Sequence, residues 1–119
     1  MKHLILALAV LAPFPALADY QCTAERQCGG GACEPYTGGP FLIAQSGDSF
    51  RVTADDLVMD GHFSNAGDSE EISIVLPPQN GMSGLISIFP DGGFLFTVHA
   101  RGDMLVAISG EGSCTTTGG

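Results

Sequence analysis

SIFPDGGFLF, residues 87–96, is the stretch of sequence that decides the fold. Its centre combines Pro90, which presets its own backbone φ, with Asp91, whose carboxylate can cap a turn. Gly92 and Gly93 follow, and glycine accepts positive φ without steric cost. Because apolar residues flank this centre on both sides, the stretch predicts a β-hairpin.

Side chains in the second arm of this hairpin alternate between two faces, in the pattern typical of a strand with one buried face. In residues 93–100, GFLFTVHA, the side chains of Phe94, Phe96 and Val98 fall on one face. His99 falls on the opposite face, since side chains along a strand alternate with a period of two. We therefore expect His99 to face solvent.

Short apolar runs, separated by Gly, Pro, Asn and Asp, recur on both sides of the hairpin. The candidate strands are residues 40–45, 49–54, 56–63, 71–76, 84–89, 93–100 and 104–109. Their connections are too short for parallel pairing, which needs crossovers of about a dozen residues or more. The sequence therefore predicts an all-β fold, a single small antiparallel β-sandwich or meander barrel of about six to eight strands.

Residues 1–18, MKHLILALAVLAPFPALA, have the organisation of a secretory signal peptide. Lys2 precedes an apolar run, and Ala16, Leu17 and Ala18 supply the small-x-small pattern of a cleavage site. The run is shorter than the roughly 20 residues that a bilayer-spanning helix needs. We expect cleavage before Asp19 and a secreted protein, periplasmic or extracellular, that does not insert into a membrane. The alternative interpretation is an N-terminal core helix.

Four cysteines remain after the predicted cleavage: Cys22, Cys28, Cys33 and Cys114. In an oxidising compartment such an even set forms disulfides. Zinc sites favour Cys-x2-Cys spacing, whereas the first three cysteines are separated by five and four residues. The sequence therefore predicts two disulfides and neither a metal site nor a cofactor.

Four cysteines allow three pairings, and the sequence does not choose among them. Two of the three are favoured. The preferred one joins Cys28 to Cys33 and Cys22 to Cys114, and the other joins Cys22 to Cys33 and Cys28 to Cys114. In both, one bridge ties the N-terminal segment to Cys114.

The predicted organisation has four parts. Residues 1–18 are the signal peptide, and residues 19–40 are a Cys/Gly-rich segment joined by disulfides. Residues 41–114 form the antiparallel β domain, and residues 115–119 are a flexible tail.

The chain is acidic, with a formal net charge of −9. Without residues 1–18 it has three arginines against thirteen carboxylates, a net charge of −10. Nucleic acids and anionic membranes select basic surfaces, so they are excluded as partners. A basic protein, a small ligand or a divalent cation fits this charge.

Six acidic residues form the candidate interaction surface: Asp55, Asp56, Asp60, Asp68, Glu70 and Glu71. They lack the alternating acids and the bidentate glutamate of an EF-hand loop. We interpret them as a solvated acidic surface, and weak calcium binding stays open.

No residue is predicted to be catalytic. Ser83 in NGMSGL differs from the Gly-x-Ser-x-Gly nucleophile motif, because its second glycine comes one residue early. His62 and His99 are the histidines outside the signal peptide, and the sequence places neither beside a nucleophile. A cleft that brought either histidine beside Ser83 would favour an enzyme.

Three segments, YQC at 20–22, CGGGAC at 28–33 and GEGSC at 110–114, resemble small periplasmic proteins of Gram-negative bacteria. The resemblance covers the two ends of the chain and implies location and fold. The chain is also similar to the periplasmic lysozyme inhibitors, which are small, secreted, disulfide-containing β-barrels. It lacks their Ser-Gly-Ser-Gly-like loop and their tryptophan-containing segment, having no Trp, so no residues carry over.

These features together predict a non-catalytic, monomeric binding module for a basic protein or a small ligand. An inhibitor of a cationic hydrolase is one concrete form of it. The alternative is a small hydrolase or a metal-dependent enzyme.

Overall fold

The computed structural model describes residues 19–64 and 70–117. The predicted signal peptide therefore lies outside the described residues. Those residues form nine strands and no helix, so the all-β prediction is confirmed. The strands are β1 (Asp19–Gly29), β2 (Ala32–Pro35), β3 (Phe41–Ser46), β4 (Ser49–Ala54), β5 (Leu57–Phe63), β6 (Ile72–Gln79), β7 (Met82–Ile88), β8 (Gly93–Arg101) and β9 (Leu105–Thr117).

The strands form a closed antiparallel barrel. From β3 to β9, each strand pairs with the next one along the chain, which is a meander. Strand β1 closes the ring, because it pairs with β3 on one side and with β9 on the other. Strand β2 stands outside the ring as a hairpin arm of β1. Of the two predicted architectures, the meander barrel is the observed one.

The barrel includes more of the chain than the predicted β domain of residues 41–114. Strand β1 belongs to its wall, although residues 19–40 were assigned to a separate segment. Strand β9 runs on to Thr117, which pairs with Asp19, so residues 115–117 are not a tail. The sequence pattern does not indicate β1, because its inward-facing residues Tyr20, Cys22 and Ala24 include no large aliphatic side chain. Gly118 and Gly119 lie outside the described residues.

The predicted hairpin at residues 87–96 is present between β7 and β8. The Asp91 carboxylate accepts a hydrogen bond from the Gly93 N–H at 2.8 Å, and the Gly92 N–H donates to the Phe89 carbonyl at 2.8 Å. Gly92 has a φ of 95°, which favours glycine. The φ of Gly93 is not positive. The turn therefore requires a positive φ at Gly92 alone, and not at both glycines.

Large apolar side chains fill one end of the barrel, called here the closed end. It carries the β3–β4 and β7–β8 turns and the paired residues Asp19 and Thr117. Ile43, Ile74 and Phe94 are fully buried inside the barrel. Burying one such side chain stabilises the fold by about 1.5–3 kcal/mol. The opposite end, called the mouth end, carries the β4–β5, β6–β7 and β8–β9 connections.

Both disulfides join β1 to a strand that pairs with it. Cys22 lies opposite Cys114 in the β1–β9 ladder, and their sulfurs are 2.00 Å apart. Cys28 lies opposite Cys33 across the β1–β2 hairpin, with an S–S distance of 2.01 Å. This is the preferred of the two predicted pairings, and no cysteine is free.

Candidate functional site

A cavity opens into the barrel at its mouth end, and we call it the mouth cavity. Its volume is about 420 Å³. Its wall consists mainly of inward-facing apolar side chains from strands around the barrel, including Met59, Met82 and Ile108, and one polar side chain, Gln27 of β1, also lines it. By strand register, the deepest residues that line the cavity are Ile86 and Phe96, which are paired across β7 and β8. Ile86 lies two inward-facing positions farther from the mouth end than Met82. The cavity is thus an unfilled continuation of the hydrophobic core.

The cavity exists because inward positions near the mouth end carry small residues. Ala54, Gly84 and Ala100 occupy inward positions on β4, β7 and β8. At the closed end the corresponding positions carry large residues such as Phe50 and Phe94, which are buried. Side chains therefore fill one half of the barrel and leave the other half partly open.

Tyr36 forms part of the rim, on the connection from β2 to β3. Its N–H donates to the Glu25 carbonyl at 3.1 Å, and its ring centroid lies 6.0 Å from that of Phe41. A Cβ on Gly38 would lie 2.5 Å from the Tyr36 hydroxyl, so glycine is needed there for the phenol to lie against the backbone. Contacts on both sides therefore hold the Tyr36 ring at the rim.

Asp55 and Asp56 complete the acidic part of the rim, in the turn from β4 to β5. Asp55 has a φ of 54°, in the left-handed region that aspartate tolerates better than most residues. A Cβ on Gly39 would lie 2.9 Å from the Asp55 carboxylate. Burial raises the pKa of the Tyr36 phenol above its ordinary 10.0, and the Asp55 carboxylate raises it further. At neutral pH, Tyr36 is therefore a protonated donor beside a carboxylate.

The six residues of the predicted acidic surface do not lie together. Asp55 and Asp56 are at the mouth end, whereas Glu70 and Glu71 precede β6 at the closed end. The ends of a seven-residue strand such as β5 are about 20 Å apart. Asp60 faces outward between these groups and is 3.4 Å from Arg51. Asp68 lies outside the described residues.

A second cavity, which we call the outer groove, has a volume of about 550 Å³. Ser83 and His99 both line it, and they are directly paired across β7 and β8. His99 is exposed, as predicted. This is the juxtaposition expected to favour an enzyme, while His62 lies elsewhere, opposite Val75 on β6. Within the described residues, no hydrogen bond joins Ser83 to His99 and no carboxylate orients the imidazole.

Comparisons with protein-family models, curated proteins and solved structures found no match to this chain. Within residues 19–64 and 70–117, no three His, Cys, Asp or Glu side chains are close enough together to hold a metal ion. In the same residues, no helix is long and apolar enough to cross a membrane.

The sequence reasoning missed the mouth cavity. The signal for it was the size of inward-facing residues, large near one end of the predicted strands and small near the other. Reading that gradient needs the strand register, because neighbouring small residues line one cavity only if their strands align. The sequence indicates the rim acids Asp55 and Asp56 as part of an acidic surface and not as the entrance to a cavity.

Proposed function

We propose that this protein binds a small, mainly apolar ligand in the mouth cavity. The observation that carries the proposal is the cavity itself, about 420 Å³ in volume, with a mainly apolar wall that includes one polar side chain, Gln27, and with its ionisable groups at the rim. Ligand sites in proteins typically have about 300–1,000 Å³ and this distribution of polar groups. Ligand binding was one of the two expected forms of a binding module.

The physical driving force is the removal of water from an apolar wall. At about 30 Å³ per molecule, the cavity has room for roughly 14 waters. Those waters meet few hydrogen-bond partners below the rim, since the wall residues there are aliphatic, aromatic or Met, apart from Gln27. An apolar ligand that replaced them would gain about 25 cal/mol for each Å² of apolar surface taken out of water.

We also infer that the protein acts outside the cytosol. Its two disulfides support an oxidising compartment, and the pattern at residues 1–18 supports export through a signal peptide. Sequencing the N-terminus of the protein isolated from its native host tests this. The inference predicts a chain that begins at Asp19, and a chain that still begins at Met1 would contradict it.

A fluorescence titration with N-phenyl-1-naphthylamine tests ligand binding. This neutral apolar probe brightens in dry apolar surroundings, and we expect saturable brightening with the native protein. Ala54→Phe places a large ring in the cavity and should weaken binding by about tenfold or more, equivalent to about 1.4 kcal/mol or more. Ala44→Phe makes the same change on the outer face of β3 and should leave the affinity unaltered.

Two results would argue against this function. One is the absence of saturable binding to a protein that is correctly folded and fully disulfide-bonded. The other is equal binding by the native protein, Ala54→Phe and Ala44→Phe, because a probe insensitive to cavity filling binds elsewhere.

A second candidate function, hydrolysis in the outer groove, is favoured by the pairing of Ser83 with His99. Facing side chains at such paired positions have Cβ atoms about 4.5–5.5 Å apart, so a modest rotation brings a hydroxyl and an imidazole into contact. A fluorophosphonate probe should then label the native protein and the control Ser87→Ala, but not Ser83→Ala. No labelling of the native protein would remove this candidate.

A further inference from the structure

We propose that the ligand of the mouth cavity has an apolar body and a cationic end, such as an ammonium group. This inference rests on the proposed function and adds the chemical class of the ligand. Among the described residues that line the cavity, the ionisable side chains are Tyr36, Asp55 and Asp56, and all of them are at the rim. A body buried against the wall would therefore leave its polar end beside these groups.

Among the described residues, the rim carboxylates have no cationic partner. The ion pairs in the described part of the chain join Arg26 to Glu111 and Arg51 to Asp60. Neither includes Asp55 or Asp56, and none of the three arginines lines the mouth cavity. The rim is thus negative next to an apolar interior. A cationic end would be attracted to this rim, and an anionic end would be repelled by it.

Tyr36 favours the same orientation of the ligand. Its ring packs near Phe41, and its phenol lies near the Asp55 carboxylate. Aromatic faces attract cations, and a phenol oxygen accepts hydrogen bonds from an ammonium group. Aromatic surface and carboxylates therefore converge at the level where the head of an amphiphilic amine would lie.

Competition with three matched amphiphiles tests the inference. Decylamine, decanol and decanoate share one apolar chain and differ in the charge of the head at neutral pH. Each is titrated, below the concentration at which it aggregates, against protein loaded with N-phenyl-1-naphthylamine. We expect decylamine to displace the probe at about fivefold lower concentration than decanol, since each exposed ion pair adds a modest gain. Decanoate should be the weakest competitor.

The double variant Asp55→Asn/Asp56→Asn identifies the source of the preference. Asparagine tolerates the left-handed backbone of residue 55 as aspartate does, so the turn is expected to remain folded. The variant should lose the preference for decylamine over decanol. The preference is read as the ratio of the two displacing concentrations, so it does not depend on the affinity of the variant for N-phenyl-1-naphthylamine. Asp48→Asn removes one carboxylate from the β3–β4 turn at the closed end and should retain the preference.

The outcomes separate the two proposals. If the probe binds and responds to Ala54→Phe, but the three amphiphiles compete equally, the ligand class is wrong and the binding function stands. A decylamine preference that survives in the double variant also overturns the ligand class. If the probe does not bind to the mouth cavity, the binding function fails and this inference fails with it.

Discussion

At Gly112, strand β9 approaches β1 so closely that a side chain has no space. A Cβ there would overlap the Thr23 carbonyl oxygen and lie 2.8 Å from the Ala24 Cα. The ladder between β1 and β9 shifts its register between Ala24 and Arg26, directly beside this contact. The barrel therefore closes at a point that only glycine can occupy without moving backbone.

Gly112→Ala should consequently lower the free energy of unfolding. Overpacking of this kind costs typically about 1–3 kcal/mol, because the obstructing atoms are backbone and not a flexible side chain. Urea denaturation measures the change. Gly102→Ala is the control, since a Cβ at Gly102 meets no heavy atom within 4 Å. Equal stability of the two variants would contradict the close approach.

At the scale of elements, the pairing of β5 with β6 is the weakest part of the barrel wall. The ladder contains two residue pairs, His62 with Val75 and Phe63 with Ile74, because Pro77 and Pro78 have no N–H to donate. The side-chain amide of Gln79 replaces the missing backbone hydrogen bonds between β5 and β6. It accepts from the Asp60 N–H at 2.8 Å and donates to the Asp60 carbonyl at 2.8 Å.

Gln79→Ala should open this part of the wall. It removes both bonds to Asp60 and a third to the Pro77 carbonyl, so we expect a loss of about 1–2 kcal/mol in unfolding free energy. Hydrogen exchange at the Asp60 amide should become faster, while exchange in the β7–β8 ladder stays unchanged. Gln21→Ala, on the outer face of β1, is the matched control. Unaltered hydrogen exchange at the Asp60 amide would mean that the Gln79 hydrogen bonds do not stabilise the pairing of β5 with β6.

Local chemistry explains which elements the sequence predicts. The β7–β8 hairpin follows from Pro90, Asp91 and Gly92, whose effects act within the turn itself. The sequence does not predict strand β1 because its inward-facing residues Tyr20, Cys22 and Ala24 include no large aliphatic side chain, and its pairing partner β9 is at the other end of the sequence. The mouth cavity was missed for the same reason, since it depends on register between strands.

At the scale of the whole molecule, the Cys22–Cys114 disulfide locks the closure of the ring. It joins the first and last strands across 92 residues of sequence, whereas Cys28–Cys33 spans five. In the chain-entropy account, a cross-link stabilises the folded state more when it closes a longer loop.

Replacing Cys22 and Cys114 together by Ala should therefore cost about 4–5 kcal/mol of unfolding free energy, and replacing Cys28 and Cys33 by Ala about 2 kcal/mol. The buried position of Cys22 adds to the first figure, because its side chain is part of the core. Urea denaturation of both double variants gives the comparison. A larger loss from the Cys28/Cys33 pair would contradict the assigned role of ring closure.

The central claim, that the mouth cavity holds an apolar ligand, is tested most directly by NMR of methionine methyl groups. Met59 lines the mouth cavity and not the outer groove, Met82 lines both, and Met104 is 70% exposed on the β8–β9 connection and lines neither. On titration with N-phenyl-1-naphthylamine, we predict saturable shifts of the Met59 and Met82 signals and none of Met104. Shifts confined to Met82 or Met104, or saturable binding with the Met59 signal unmoved, would contradict the claim.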